Sequence, residues 1–97
     1  RDFIYIDDVV YIWLRSIEQQ NTNNECYNLG TGIRTTVLEL LMKIKKIIPD
    51  FAWGEVSSTP GDMFGIYADT KKIKTFFGDY SFTPLEKGLS EFIESVK

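Results

Sequence analysis

Residues 1–10 read RDFIYIDDVV, and this stretch decides the predicted fold. Its apolar side chains alternate, which is typical of a short strand covered on both faces. Asp7 or Asp8 then offers an N-cap oxygen, and the pattern predicts a helix that begins at Val9. The guanidinium of Arg1 stands at the start of the strand, where it suits a two-pronged, charge-assisted bond to a phosphate. A solvated terminal arginine is the alternative interpretation.

The rest of the chain alternates between helical and extended patterns. Apolar residues recur at helical spacing in four segments, and each predicted helix has a start signal. The first predicted helix covers residues 9–20. The second begins at the T-x-x-E capping box of Thr36 and Glu39, the third at Asp69, and the fourth at Thr83 followed by Pro84. Further short strands are predicted at residues 26–29 and 51–56. The predicted fold class is therefore α/β, with about four helices and short strands.

Composition limits the classes of function. The chain has 97 residues, 43% of them hydrophobic, and a net charge of −3, which suits one small globular domain and gives no basic surface for nucleic acid. It has no histidine and one cysteine, so a disulfide framework, histidine general bases and the common zinc sites are excluded. No apolar run reaches the roughly 18 residues that span a bilayer. We expect a cytoplasmic protein with no membrane partner.

The chain opens in the middle of the predicted strand, at Arg1, and does not begin with methionine. A natural domain boundary usually falls in a polar linker. We therefore expect the sequence to be a piece of a longer protein.

Gly30-Thr31-Gly32 lies between a predicted strand and a capped helix, where a dinucleotide-binding loop would be. Glycines in such a loop let the backbone approach a pyrophosphate. Thr35 stands in the place of the third glycine. A tight strand-to-helix turn is the better interpretation, and no cofactor site is predicted on this chain.

Tyr67 and Lys71 have the Y-x-x-x-K spacing of the catalytic pair of short-chain dehydrogenases. That chemistry requires both side chains on one helical face, so that the lysine lowers the pKa of the phenol. If Asp69 caps the following helix, Tyr67 lies outside it. The spacing is therefore interpreted as accidental, and no catalytic residue is predicted.

Three other features have simpler interpretations than a reactive site. Asp7 and Asp8 are expected to serve as helix cap and first-turn charge rather than as a metal or acid–base pair. Cys26 is expected to be a small core residue. Asp62, in a Pro-Gly turn, has a carboxylate that suits two vicinal hydroxyls or a base amide, although a turn aspartate is more often structural.

Four segments, in this order, carry a resemblance to a known family: RDFIYIDDVV, YNLGTGIRTTVLELL, TPGDMFGIYADTKKIK and FTPLEKGLSEFIE. Together they resemble the C-terminal part of the NAD-dependent nucleotide-sugar epimerases and dehydratases. These are the extended short-chain dehydrogenases, a group that includes UDP-galactose 4-epimerase. The resemblance implies that residues 1–97 form a single C-terminal substrate-binding segment of a Rossmann-type parent. The N-terminal dinucleotide-binding domain would be absent from this chain.

The resemblance also implies roles for individual residues. Arg1 corresponds to the arginine that holds the diphosphate of the substrate. Phe3 and Val37 would line the nucleoside pocket, and Asp62 would hydrogen-bond the nucleoside. Thr59 stands where many family members have a second phosphate-binding arginine. We therefore expect a lower affinity for the diphosphate or a different nucleotide.

These expectations describe a nucleotide-sugar-binding piece of an NAD-dependent epimerase or dehydratase that acts on a nucleoside-diphosphate sugar. NAD and the catalytic tyrosine–lysine pair would belong to the N-terminal half, which would be a partner of this chain. Without that half, the chain should expose an apolar face and self-associate or be only marginally stable. The alternative is a stand-alone, non-enzymatic α+β interaction module.

Overall fold

The computed structural model describes residues 1–19, 24–61 and 65–97. Within these ranges the chain forms four helices, α1 (Ile6–Glu18), α2 (Val37–Ile47), α3 (Lys71–Phe77) and α4 (Leu85–Ser95). The same ranges contain no β-strand. The predicted α/β fold class with short strands is therefore wrong, although the four helices follow the predicted order.

The strands are missing because the extended segments have no ladder of backbone partners. Arg1 and Thr35 form one backbone pair: the Arg1 amine donates to the Thr35 carbonyl oxygen at 2.8 Å, and the Thr35 amide donates to the Arg1 carbonyl oxygen at 2.9 Å. Within the described ranges this pairing does not continue along either segment. A strand requires a neighbouring backbone, and an alternating sequence pattern does not provide one.

Helix α1 begins at Ile6, so the predicted start at Val9 is wrong. Its N-cap residue is Tyr5, which makes no side-chain cap bond, and both Asp7 and Asp8 lie in the first turn. Acidic groups there complement the positive end of the helix dipole. The prediction of an N-cap oxygen from either aspartate is wrong, and the prediction of first-turn charge is confirmed.

Asp8 points into the molecule and is 2% exposed. Its Oδ1 accepts from the Tyr80 hydroxyl at 2.7 Å and from Thr83 Oγ1 at 3.1 Å, and its Oδ2 accepts from the Thr83 amide at 2.9 Å. The hydrogen bond to Asp8, assisted by burial, raises the pKa of Tyr80 to about 12. We call this group of contacts the Asp8 clamp, and it fixes α1 to the segment before α4.

The Asp8 clamp explains why the predicted cap of the last helix is wrong. The Thr83 hydroxyl donates to Asp8, and the N-cap position of α4 is occupied by Pro84 without a side-chain cap bond. The capping box of α2, in contrast, is confirmed. Thr36 Oγ1 accepts from the Glu39 amide at 3.0 Å, and a Glu39 carboxylate oxygen accepts from the Thr36 amide at 3.0 Å.

The molecule has a thin core. Among the described residues, the buried apolar side chains are Ile12 of α1 and Ile73 of α3. Cys26, predicted to be a core residue, is exposed. Helices α2 and α4 contact each other, and Lys43 forms an ion pair with Glu86 there. None of the helices in the described part of the chain is both long and apolar enough to cross a membrane.

Candidate functional site

The carboxylate of Asp2 joins three segments of the chain. Its Oδ1 accepts from the Thr31 amide at 2.9 Å and the Thr31 hydroxyl at 2.6 Å. Its Oδ2 accepts from the Gly32 amide at 2.9 Å and the Ala68 amide at 3.1 Å. Partial burial alone would raise the pKa of Asp2, but the hydrogen bonds from Thr31, Ala68 and Gly32 outweigh it and lower the pKa below its ordinary value. We call this group of contacts the Asp2 clamp.

The glycine turn is shaped around the Asp2 clamp. A Cβ atom added at Gly30 would lie 2.6 Å from Asp2 Oδ2 and 2.7 Å from the Ala68 Cβ, so the backbone approaches at a distance that only glycine permits. Gly32 has a φ of 77°, in the left-handed region. The amides of Thr31 and Gly32 donate to a carboxylate of the chain itself, which supports the interpretation of this segment as a tight turn.

A cleft of about 320 Å³ opens beside the Asp2 clamp, and Arg1 lies in its wall. We call it the Arg1 cleft. It is lined by Arg1, Asp2, Asn28, Leu29, Gly30, Ile66, Tyr67 and Ala68. The backbone pair with Thr35 fixes the main chain of Arg1, and the residue as a whole is half-buried. The cleft thus combines a cationic residue, Arg1, with the polar residue Asn28 and the aromatic residue Tyr67. Residues of these types suit an anionic ligand that also has a flat ring.

The other predicted site residues lie elsewhere or outside the described residues. Phe3 lines a second, mainly apolar cleft of about 480 Å³ between the first segment, α2 and α4. Val37 is the first residue of α2 and is 55% exposed. Asp62 lies outside the described residues. The structure therefore places Arg1 and Phe3 in different clefts, and it does not bring the four predicted residues into one described pocket.

The structure adds site residues that sequence reasoning missed. Asp2, Asn28 and Tyr67 line the Arg1 cleft, and Asp2 also holds it together. A signal for Asp2 was present, because it is a carboxylate directly before the apolar run of residues 3–6. Tyr67 lies before α3, whose first residue is Lys71, so the two side chains do not share a helical face, as predicted.

Comparison with known proteins shows similarity to epimerases, including the following two relatives. A protein of Methanocaldococcus jannaschii that carries a UDP-glucose 4-epimerase name is 33% identical over 99 residues, which covers 100% of this chain. The UDP-glucose 4-epimerase of Bacillus subtilis is 30% identical over 81 residues, or 80% of this chain. The chain is similar to part of a UDP-glucose 4-epimerase.

The similarity covers only a part of each relative. The chain spans 31% of the length of the archaeal relative and 24% of the length of the bacterial one. No family model matches the sequence, and no solved structure matches it. The comparison therefore supports a relation to nucleotide-sugar epimerases at a coarse level.

Proposed function

We propose that this chain is the nucleotide-sugar-binding part of an NAD-dependent epimerase or dehydratase. The observation that carries the proposal is the 33% identity over the whole chain to a protein with a UDP-glucose 4-epimerase name. The Arg1 cleft supports it, because a cationic residue lines that cleft together with polar and aromatic residues. In this proposal the remainder of a longer, cytoplasmic enzyme binds NAD and supplies the catalytic groups.

The proposed division of roles follows the chemistry of the ligand. Arg1 pairs with the diphosphate, since a guanidinium donates two parallel, charge-assisted hydrogen bonds to phosphate oxygens. Phe3 and Val37 contact the nucleoside through their apolar surfaces. Asp62 accepts hydrogen bonds from the nucleoside. Thr59 donates a single hydrogen bond where a second arginine would bring charge, so the affinity for the diphosphate depends mainly on Arg1.

The first test compares the binding of UDP with that of uridine by calorimetry, using Arg1→Ala and the control Arg34→Ala. Both substitutions remove one positive charge, and Arg34 is exposed on the segment before α2. A hydrogen bond to a charged group contributes about 1.5–3 kcal/mol, so Arg1→Ala should weaken UDP binding by roughly 10- to 100-fold. Arg34→Ala should leave it within about twofold.

Asp62 is tested in the same titrations, with Asp79→Asn as its control. Because Asp62 is proposed to contact the nucleoside, Asp62→Asn should weaken UDP and uridine alike, whereas Arg1→Ala should weaken UDP alone. Asp79 is exposed after α3, and its substitution should change neither affinity. An intact chain that binds neither UDP nor uridine, or an equal loss of UDP binding in both arginine variants, would contradict the proposed function.

A stand-alone interaction module is the second candidate, and one observation favours it. The outward side of α1 carries large exposed apolar side chains, including Trp13 at 66% and Ile17 at 80% exposed. Contiguous apolar surface on a folded chain often marks a protein–protein contact. Nucleotide binding that depends on Arg1 separates the two candidates, because an interaction module does not require it.

A further inference from the structure

The Arg1 cleft has two walls. The first wall is the segment 28–30, and the second wall is the segment 66–68. Gly30 of the first wall lies so close to Asp2 and to Ala68 of the second wall that a Cβ atom does not fit there. Asp2 therefore lies where the two walls meet.

The Asp2 carboxylate binds both walls through backbone donors. It accepts from the Ala68 amide of the second wall and from the Thr31 and Gly32 amides, which directly follow the first wall. Arg1 is the neighbour of Asp2 in the chain. The hydrogen bonds of Asp2 therefore hold the main chain of Arg1 in a fixed place relative to both walls.

These bonds use the whole capacity of Asp2 as an acceptor. A carboxylate has about four lone-pair positions on its two oxygens. Four donors of the chain occupy them, because Oδ1 also accepts from the Thr31 hydroxyl. None of the ion pairs in the described part of the chain includes Arg1. The neighbouring carboxylate therefore does not compete with a ligand for the Arg1 guanidinium.

We propose that Asp2 is a positioning residue for phosphate binding, because its carboxylate holds Arg1 in place relative to the two walls of the cleft. This inference rests on the proposed function, in which Arg1 binds the diphosphate. An arginine whose main chain is already held loses less conformational freedom when the ligand binds. Asp2 acts through Arg1 and does not itself bind the diphosphate, since its acceptor positions are occupied and its charge has the same sign as the ligand.

Two effects of Asp2 on a bound diphosphate have opposite signs. As a nearby negative charge, Asp2 would repel the diphosphate, so Asp2→Asn would tighten binding. As a positioning residue, Asp2 favours binding, so Asp2→Asn would weaken it. Asparagine has one side-chain oxygen in place of two, so it cannot accept from all four donors of the clamp. The direction of the change in affinity therefore separates the two roles.

Calorimetric titration of the 97-residue chain with UDP measures this direction, with each variant studied under conditions in which circular dichroism shows it folded. Asp2→Asn should raise the dissociation constant of UDP by about 10-fold. The matched control is Asp8→Asn, which weakens a carboxylate clamp outside the described lining of the Arg1 cleft. It should lower the stability and leave the UDP affinity of the folded chain within about twofold. Unchanged or tighter UDP binding in Asp2→Asn, or an equal loss in Asp8→Asn, would overturn the proposal.

Thr31 gives a second measurement if Asp2→Asn does not fold. Thr31 is not among the described residues that line the Arg1 cleft, and its hydroxyl donates to Asp2 Oδ1 at 2.6 Å. Thr31→Val removes this donor and should weaken UDP binding by about fivefold. Thr31→Ser keeps the hydroxyl and should bind UDP as the unmodified chain does. Equal UDP affinities in the two Thr31 variants would contradict the positioning role.

A double variant tests whether Asp2 acts through Arg1. In an Arg1→Ala background, Asp2→Asn should change the UDP affinity by less than about twofold, because the group that Asp2 positions is gone. A full further loss would overturn the proposal. If the unmodified chain does not bind UDP, or if Arg1→Ala binds it equally well, the proposed function fails and this inference fails with it. A chain that requires Arg1 but tolerates Asp2→Asn overturns this inference alone.

Discussion

Asp8 shows how one side chain fixes two distant parts of this chain. It is buried and accepts three hydrogen bonds, two from Thr83 and one from Tyr80. Tyr80 also stacks on Tyr11 of α1, with ring centroids 4.8 Å apart. Local sequence rules assign Thr83 to a helix cap, because its spacing to Glu86 fits a capping box. The tertiary contact with Asp8 replaces that cap, and no local pattern contains this information.

The Asp8 clamp gives a stability prediction. Asp8→Ala leaves the Tyr80 hydroxyl and the Thr83 amide without their acceptor, which should reduce the free energy of unfolding by about 2 kcal/mol. Asp7→Ala is the control, since Asp7 is an exposed residue of the same helical turn. Its substitution should cost less than about 1 kcal/mol, from the helix dipole alone. Urea denaturation at one protein concentration compares them, and equal losses would contradict the clamp.

The Asp2 clamp gives a pH prediction. Its hydrogen bonds hold the pKa of Asp2 below its ordinary value of 3.8, despite the opposing effect of burial. The ionised carboxylate therefore stabilises the fold above that ordinary value, and this contribution is lost as the pH falls through the lower pKa of the folded state. The free energy of unfolding should thus fall less in Asp2→Asn than in the parent chain between about pH 5 and about pH 2.

Denaturant unfolding at several pH values measures this difference. The control is Asp79→Asn, which removes an exposed carboxylate outside both clamps. It should retain the pH dependence of the parent chain. A parent-like pH dependence in Asp2→Asn would contradict the assignment of this effect to Asp2.

At the scale of elements, the helices were more predictable than the strands. The start of α2 follows from Thr36 and Glu39, which lie three residues apart and satisfy each other. The first segment and residues 26–29 have strand-like alternation, but a strand depends on a partner that is distant in sequence. Among the described residues, the first segment makes one backbone pair of the kind found in a sheet, between Arg1 and Thr35.

The glycine turn gives a prediction at the same scale. A Cβ at residue 30 would overlap Asp2 and Ala68, so Gly30→Ala should destabilise the fold by about 1–3 kcal/mol. Gly54→Ala is the matched control, because a Cβ there would meet no atom within 4 Å. It should be neutral or stabilise the fold by up to about 1 kcal/mol. Thermal unfolding compares the two variants, and equal melting temperatures would show that the turn tolerates a side chain.

For the whole molecule, the hydrophobic content of the sequence is high but the buried core is small. Hydrophobic residues make up 43% of the chain, yet the described core contains only Ile12 and Ile73 as buried apolar side chains. The Cα radius of gyration is 16.0 Å, whereas a compact domain of this length has about 12–13 Å. The predicted exposed apolar face is confirmed, because large apolar side chains of α1 such as Trp13 and Ile17 are exposed. The prediction followed from the sequence of this helix, which is apolar around much of its circumference. Self-association remains a prediction.

The candidate site was predictable only in part. Arg1 was identified from its residue type and position, and the structure places it in a cleft wall. Asn28 and Tyr67 could not be found from local patterns. They line the cleft because Asp2 holds the neighbouring residues Thr31 and Ala68, which are distant from it in sequence. The roles of Phe3, Val37 and Asp62 remain proposals.

The two clamps have a consequence for how fast the chain folds and unfolds. The bond from the Ala68 amide to Asp2 joins residues 66 positions apart, and the bond from Thr83 to Asp8 joins residues 75 positions apart. Closing such long loops has an entropic cost, so contacts of this kind slow folding and tend to form after the local helices. Interactions that form after the transition state act mainly by slowing unfolding. We therefore expect removal of either carboxylate to shorten the lifetime of the folded chain mainly by speeding its unfolding.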